Sequence, residues 1–172
     1  NKITAASKPG RPIMGKVTEG DSQVTLVFKA PYTDNGSPVI SYTVYLYKDD
    51  GSTNIGTITV NAADVPDEDK SIVYTGLNNE TKYGFSVIAT NSLGDSPFSP
   101  LIYRTPVGVS GAPTNVSAAA GNGEATVSFT APVSNGGYTI TSYTATSTPG
   151  NFTGILNQAG SGTITVTGLT NR

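Results

Sequence analysis

The chain has 172 residues, enough for one or two domains, with 36% hydrophobic residues, only 13% charged residues and a formal net charge of −2. No stretch concentrates Lys or Arg, so the basic face that releases phosphate counterions is missing, and nucleic acid is excluded as a partner. No run is apolar and long enough to span a bilayer, and without His or Cys the usual general base, thiol nucleophile and soft metal ligands are missing too.

The first alternating run sets Val24, Leu26 and Phe28 against Thr25, Val27 and Lys29, which predicts a half-buried strand. The turn signal Asp34-Asn35-Gly36 follows, and then Tyr42, Val44 and Leu46 repeat the alternation, with Tyr45 and Tyr47 in the opposite, outward phase. Asp49-Asp50-Gly51 marks the next turn. The cluster Asp64, Asp67, Glu68 and Asp69 lies between predicted strands. It lacks the spaced ligands and glycine of a dedicated calcium loop, so it reads as a solvated loop and no metal site is assigned. Ile72 and Tyr74 open another strand, and Gly76 with Asn78-Asn79 a turn. Tyr83, Phe85, Val87 and Ala89 place large residues on one face of the strand that ends at Ser92-Leu93-Gly94-Asp95. No segment carries a helical stripe, so the class is all-β. The expected core is Val24, Leu26, Phe28, Tyr42, Val44, Ile72, Tyr74, Leu77, Tyr83, Phe85 and Val87.

The second half repeats the first. Pro12, Phe28 and Tyr42 recur as Pro113, Phe129 and Tyr143, each offset by 101 (129 − 28), without a gap. Gly76-Leu77 recurs as Gly168-Leu169 at an offset of 92 (168 − 76), so the second copy is shorter by nine residues after its third strand. The expected organisation is a complete module over residues 1–106, a short linker over 107–112 and a second module over 113–172. Pro106 and Pro113 restrict the junction, which predicts limited bending.

The stretch from Ile72 to Ser96 resembles the later strands of a fibronectin type III domain. Leu77 and Tyr83 match the spacing of the corner tyrosine, and Asn91, Gly94 and Ser96 match the last hairpin. The resemblance covers residues 9–106 and 110–172, with Phe28 and Phe129 where the family often has Trp. It implies two tandem immunoglobulin-like β-sandwiches, the second lacking its last two strands. Two explanations stay open for that shortfall: a fragment of a longer protein, or a sheet completed by strands from another chain. The loop Asn135-Gly136-Gly137 and the Gly- and Thr-rich texture resemble bacterial surface and secreted members.

What the resemblance implies is a non-enzymatic structural, spacer or adhesion module of an extracellular, surface-anchored or filament-forming protein, with no cofactor. Its partners would be other domains of the same protein or neighbouring subunits, and further a polysaccharide or surface protein. Two other readings remain: the accessory carbohydrate-binding or spacer region of a secreted polysaccharide-degrading enzyme, and a subunit of a viral or cellular appendage. Among Tyr32, Tyr45, Tyr47, Tyr103 and Tyr138, the candidate surface-binding pair is Tyr45 and Tyr47, weighed against ordinary cross-strand packing. Gly94-Asp95 lacks the preceding Arg of an integrin motif. Four N-glycosylation sequons, at Asn35, Asn79, Asn115 and Asn151, are as frequent as this composition gives by chance.

Overall fold

The computed structural model describes residues 5–65 and 68–171. The chain divides between Val107 and Gly108 into two units. In the first, β1 (Ile13–Gly20), β2 (Gln23–Lys29) and β5 (Asp69–Thr75) form one sheet in the order β1-β2-β5. The second sheet contains β3 (Ser41–Tyr47), β4 (Asn54–Asn61), β6 (Tyr83–Asn91), β7 (Gly94–Asp95) and β8 (Ile102–Arg104). Its order is β4-β3-β6, with β7 and β8 both paired to the far edge of β6. Every pairing is antiparallel, and among the described residues one 3-10 turn (Ala62–Asp64) interrupts the strands.

The two sheets bury their alternating residues against each other, as the period-two pattern requires. Of the expected core residues, all but Tyr74 are buried, and Val17, Leu46 and Ala89 complete the cluster. Tyr74 is half-buried because its ring packs edge-on to Phe85 at 6.2 Å while its hydroxyl lies over Gly56, where any Cβ would collide with it. The central strand β6 is buried along nearly its whole length, since it has neighbours on both edges and the core beneath.

The second unit contains β9 (Thr114–Ala120), β10 (Glu124–Thr130), β11 (Tyr143–Thr146), β12 (Thr153–Leu156) and β13 (Gly162–Thr167). Strands β9, β10 and β13 form one sheet in the order β13-β10-β9, and β11 and β12 form a hairpin opposite. Phe129, Tyr143, Ile164 and Val166 are its buried cluster, with the Phe129 and Tyr143 rings 4.3 Å apart. Among the described residues, the second unit has no counterparts of two strands of the first, β6 and the β7–β8 edge.

The nine-residue step is divided between two connections. Tyr42 pairs with Val60 and Tyr143 with Leu156, so the hairpin is five residues shorter in the second unit (18 against 13). The path from there to Ile72 or Ile164 is four residues shorter (12 against 8), because the second unit has no counterpart of the 3-10 turn and acidic loop. The repeat also extends upstream of the first strands. Ser7 N–H donates to the Asn35 carbonyl and Gly10 N–H to Thr33; correspondingly, Gly108 N–H donates to Gly136 and Gly111 N–H to Ser134.

Candidate functional site

Two features tie the first sandwich together at opposite ends of β6. At its start, the buried Tyr83 ring packs beneath the turn after β5, and its hydroxyl accepts the Asn78 N–H at 3.2 Å. At its end, Asn91 is only 2% exposed. Its amide donates to the Ser7 carbonyl at 2.8 Å and the Ser37 carbonyl at 3.2 Å, with Asp34 farther away at 3.4 Å, while its Oδ1 accepts the Leu93 N–H at 2.9 Å. Asn91 therefore joins the leading segment, the loop before β3 and the β6–β7 turn.

Between these ends the edge of β6 is closed by a Ser-Pro alternation. Ser96 and Ser99 each donate an N–H to a β6 carbonyl, at Ala89 and Val87 respectively, and accept the same residue's N–H on the side-chain hydroxyl. Hydroxyls thus supply acceptors where Pro97 and Pro100 interrupt a regular ladder.

That combination of strand order, corner tyrosine and last hairpin agrees with the comparison of families: the fibronectin type III domain matches residues 7–105, more than half of the chain. The chain belongs to the fibronectin type III family. A Kelch domain-containing protein of Saccharolobus solfataricus is 30% identical over 141 residues, covering 82% of this chain but only 18% of that protein. The match is longer than either unit, so it takes in part of both. Similar solved structures include the FN5 domain of Drosophila Lar (20% identity, 57% of this chain and 96% of that chain, TM-score 0.43). Others are the twitchin kinase region of C. elegans (25% identity, 57% and 16%, TM-score 0.42) and domains d3-d4 of the rat CD45 extracellular region (20%, 58% and 51%, TM-score 0.46). The chain spans only about a fifth of the length of the Saccharolobus solfataricus relative.

On the fibronectin type III sandwich, Tyr45 and Tyr47 lie on the outer face of β3, half-buried and nearly parallel, with ring centroids 6.4 Å apart. Phe98, which the sequence did not single out, stands edge-on to Tyr45 at 5.1 Å and is 48% exposed. Tyr45 pairs across the sheet with Ser86, whose hydroxyl is the one buried side-chain polar atom without a partner among the described residues. Thr43, Thr57 and Thr59 share this face, with Thr43 and Thr59 hydroxyls 2.9 Å apart, and at its β7 end Asp95 accepts from the Thr90 hydroxyl at 2.7 Å. Tyr103 lies on the same face, across Gly84 from Tyr47 and beneath the Lys82 ammonium at 4.4 Å; Tyr32 and Tyr138 are well exposed in loops.

The acidic segment is used locally. Lys29 pairs with Glu68 at 3.5 Å and Asp69 at 3.6 Å, which raises the Lys29 pKa, chiefly through the Asp69 charge and next through that of Glu68. Asp64 accepts from the Asn61 amide, and Asp67 lies outside the described residues. Three sequon asparagines, Asn35 and Asn151 in turns and Asn115 at the irregularity between β9 and β10, have φ of 54°, 54° and 50°, a left-handed region that Asn enters more readily than most residues. The amides of Asn35, Asn79 and Asn115 already donate to Lys8, Asp21 and Thr130.

Proposed function

We propose that these two fibronectin type III modules act as a structural spacer or adhesive segment of an extracellular, surface-anchored or filament-forming protein. The observation that carries this reading is the way the repeat is joined. Pro106 accepts the Glu80 N–H and Val107 donates to Gly20, both within the first module, while Gly108 is already bonded to Gly136 within the second. Gly108 and Gly111, within the linker expected over 107–112, donate to Gly136 and Ser134 in the loop of the second module. So short a connection suits an element that transmits position or tension. The relative from Saccharolobus solfataricus, in which the matched stretch is a small part of a longer chain, favours an accessory role beside other domains. The surroundings of this chain would then resemble those of bacterial surface members of the family. Backbone ¹⁵N relaxation tests the reading: residues 106–111 should have order parameters near the rigid value of about 0.85. Values below about 0.6 there would remove the spacer argument.

A second reading has its own observation, the aromatic cluster of Tyr45, Tyr47 and Phe98. Rings flanked by threonine hydroxyls suit stacking against a polysaccharide, the partner of the accessory-domain alternative. Pull-down on insoluble polysaccharides, with Tyr45→Ala/Tyr47→Ala as comparison, tests it. Equal retention of both proteins, or none, eliminates this role for the pair.

A further inference from the structure

Four sequons of the form Asn-x-Ser/Thr, at Asn35, Asn79, Asn115 and Asn151, have no part in the readings above. A transferase that reads this tripeptide must reach two groups at once, the asparagine amide nitrogen and the hydroxyl two residues on, in a surface loop. The folded chain withholds one or both at three of the four. Asn35 is half-buried with its amide on the Lys8 carbonyl, and the hydroxyl of Ser37, a buried residue, meets that of Ser92 at 2.9 Å. Asn79 is half-buried with its amide on Asp21 at 2.8 Å, while its Oδ1 accepts the Ser22 N–H. Asn115 and Ser117 lie within β9, which is paired to β10, and the Asn115 amide donates to the Thr130 hydroxyl.

Asn151 differs on each count. It belongs to the connection between β11 and β12, in which residues 148–153 are exposed without interruption. Ser147 ties the base of this loop. Its carbonyl accepts the Asn151 N–H at 3.1 Å, its N–H donates to the Phe152 carbonyl at 2.9 Å, and its hydroxyl accepts the Phe152 N–H at 3.1 Å. The backbone around Asn151 is thus held by its own loop, and the Asn151 side chain takes no part in holding it. Among the described residues, neither the Asn151 amide nor the Thr153 hydroxyl has a hydrogen-bond partner. The middle residue is Phe152, not the proline that disqualifies the tripeptide.

We propose that Asn151 is the N-glycosylation site of this chain, and that the other three sequon asparagines are structural. The co-substrate is a lipid-linked oligosaccharide pyrophosphate. Asn151 Nδ2 forms a bond to the anomeric carbon of the first sugar as the bond from that carbon to the pyrophosphate oxygen breaks. The lipid pyrophosphate departs with the electron pair, one amide proton passes to a base of the transferase, and nothing is oxidised or reduced. Because the Asn151 side chain makes no internal bond, the glycan displaces no contact of the fold. At Asn79 it would crowd the two bonds that join the β1–β2 turn to the turn after β5. The proposal rests on the extracellular reading for the chain to meet its transferase, whereas the acceptor geometry stands apart from that reading.

The test incubates the folded 172-residue chain with membranes that contain an oligosaccharyltransferase and its lipid-linked oligosaccharide. Short peptides, each carrying one of the four sequons, are treated in parallel. Intact mass counts the glycans, and peptide mapping after enzymatic deglycosylation, which converts a modified Asn to Asp, places them. The chain should gain one glycan, at Asn151, while all four peptides are accepted, which assigns the selection to the fold. Asn151→Gln or Thr153→Ala should abolish the added mass, and Thr153→Ser, which keeps the hydroxyl, should retain it; all three change exposed side chains. A chain left unmodified, a glycan at Asn35 or Asn79 of the folded chain, or added mass that survives Asn151→Gln would overturn the proposal. So would refusal of the Asn35 and Asn79 peptides, since sequence rather than fold would then make the selection. None of these outcomes moves the order parameters that test the spacer reading, so the two can fail separately.

Discussion

Replacing Asn91 probes the connection on which the first sandwich depends. The side chain is 2% exposed and makes two short donations, to Ser7 and Ser37, and one acceptance, from Leu93. Asn91→Ala removes all three and leaves two carbonyls and one N–H without their partners. A lost hydrogen bond costs about 1 kcal/mol, and more when its partner stays buried, so about 2–4 kcal/mol of module stability should disappear. That is a large share of the roughly 5–15 kcal/mol typical of a domain. Asn91→Asp sharpens the argument. A carboxylate still accepts from Leu93 but cannot donate, and it faces the Ser7, Ser37 and Asp34 carbonyls. The introduced acid should therefore have a raised folded-state pKa, because only its protonated form can donate. Its destabilisation is greatest above that pKa and shrinks as pH falls through it. Urea unfolding of wild type, Asn91→Ala and Asn91→Asp at pH 7 and pH 4.5 measures these differences. If Asn91→Ala costs less than about 1 kcal/mol, or Asn91→Asp shows no recovery on acidification relative to Asn91→Ala, the buried-amide account is wrong.

Tyr83→Phe removes only the hydroxyl that accepts the Asn78 N–H, so denaturation should report a loss of about 0.5–1.5 kcal/mol, with the ring packing retained. Gly136 has φ +72°, and a Cβ there would strike the Gly108 carbonyl. Gly136→Ala should cost about 1–3 kcal/mol and deprotect residues 108–111 in hydrogen exchange, whereas Gly160→Ala, which meets nothing within 4 Å, should leave exchange unchanged. Asp50 is held at about 2, below its ordinary 3.8, first by the Thr53 N–H, then by the Ser52 N–H and the Thr53 hydroxyl. Its support of the β3–β4 turn is present above the ordinary value and is lost as pH falls towards about 2. Carboxyl NMR titration should place the midpoint there in wild type, and the Asp50→Asn turn should show no such transition.

The alternation of Val24, Leu26 and Phe28, and of Tyr42, Val44 and Leu46, was legible because one face of each strand must be apolar to cover a core. Leu77, Tyr83 and the Asn91 hairpin were legible through their resemblance to the fibronectin type III pattern. The sequence did not show that Asn91 holds segments as distant as Ser7, because a buried amide and a turn asparagine look alike until the partners are known. Phe98 was missed for a related reason. It lies between two prolines rather than in an alternating run, and only folding brings it against Tyr45.

By itself, the sequence determined an all-β chain and a repeat, since period-two burial and ungapped spacing are local properties that survive without coordinates. Tertiary structure alone decided where the nine-residue step is distributed and that Gly108 and Gly111 are bonded to Gly136 and Ser134. Each of these depends on which distant backbone groups meet, and hydrogen-bond partners of that kind are chosen by packing across the whole sandwich rather than by the residues on either side.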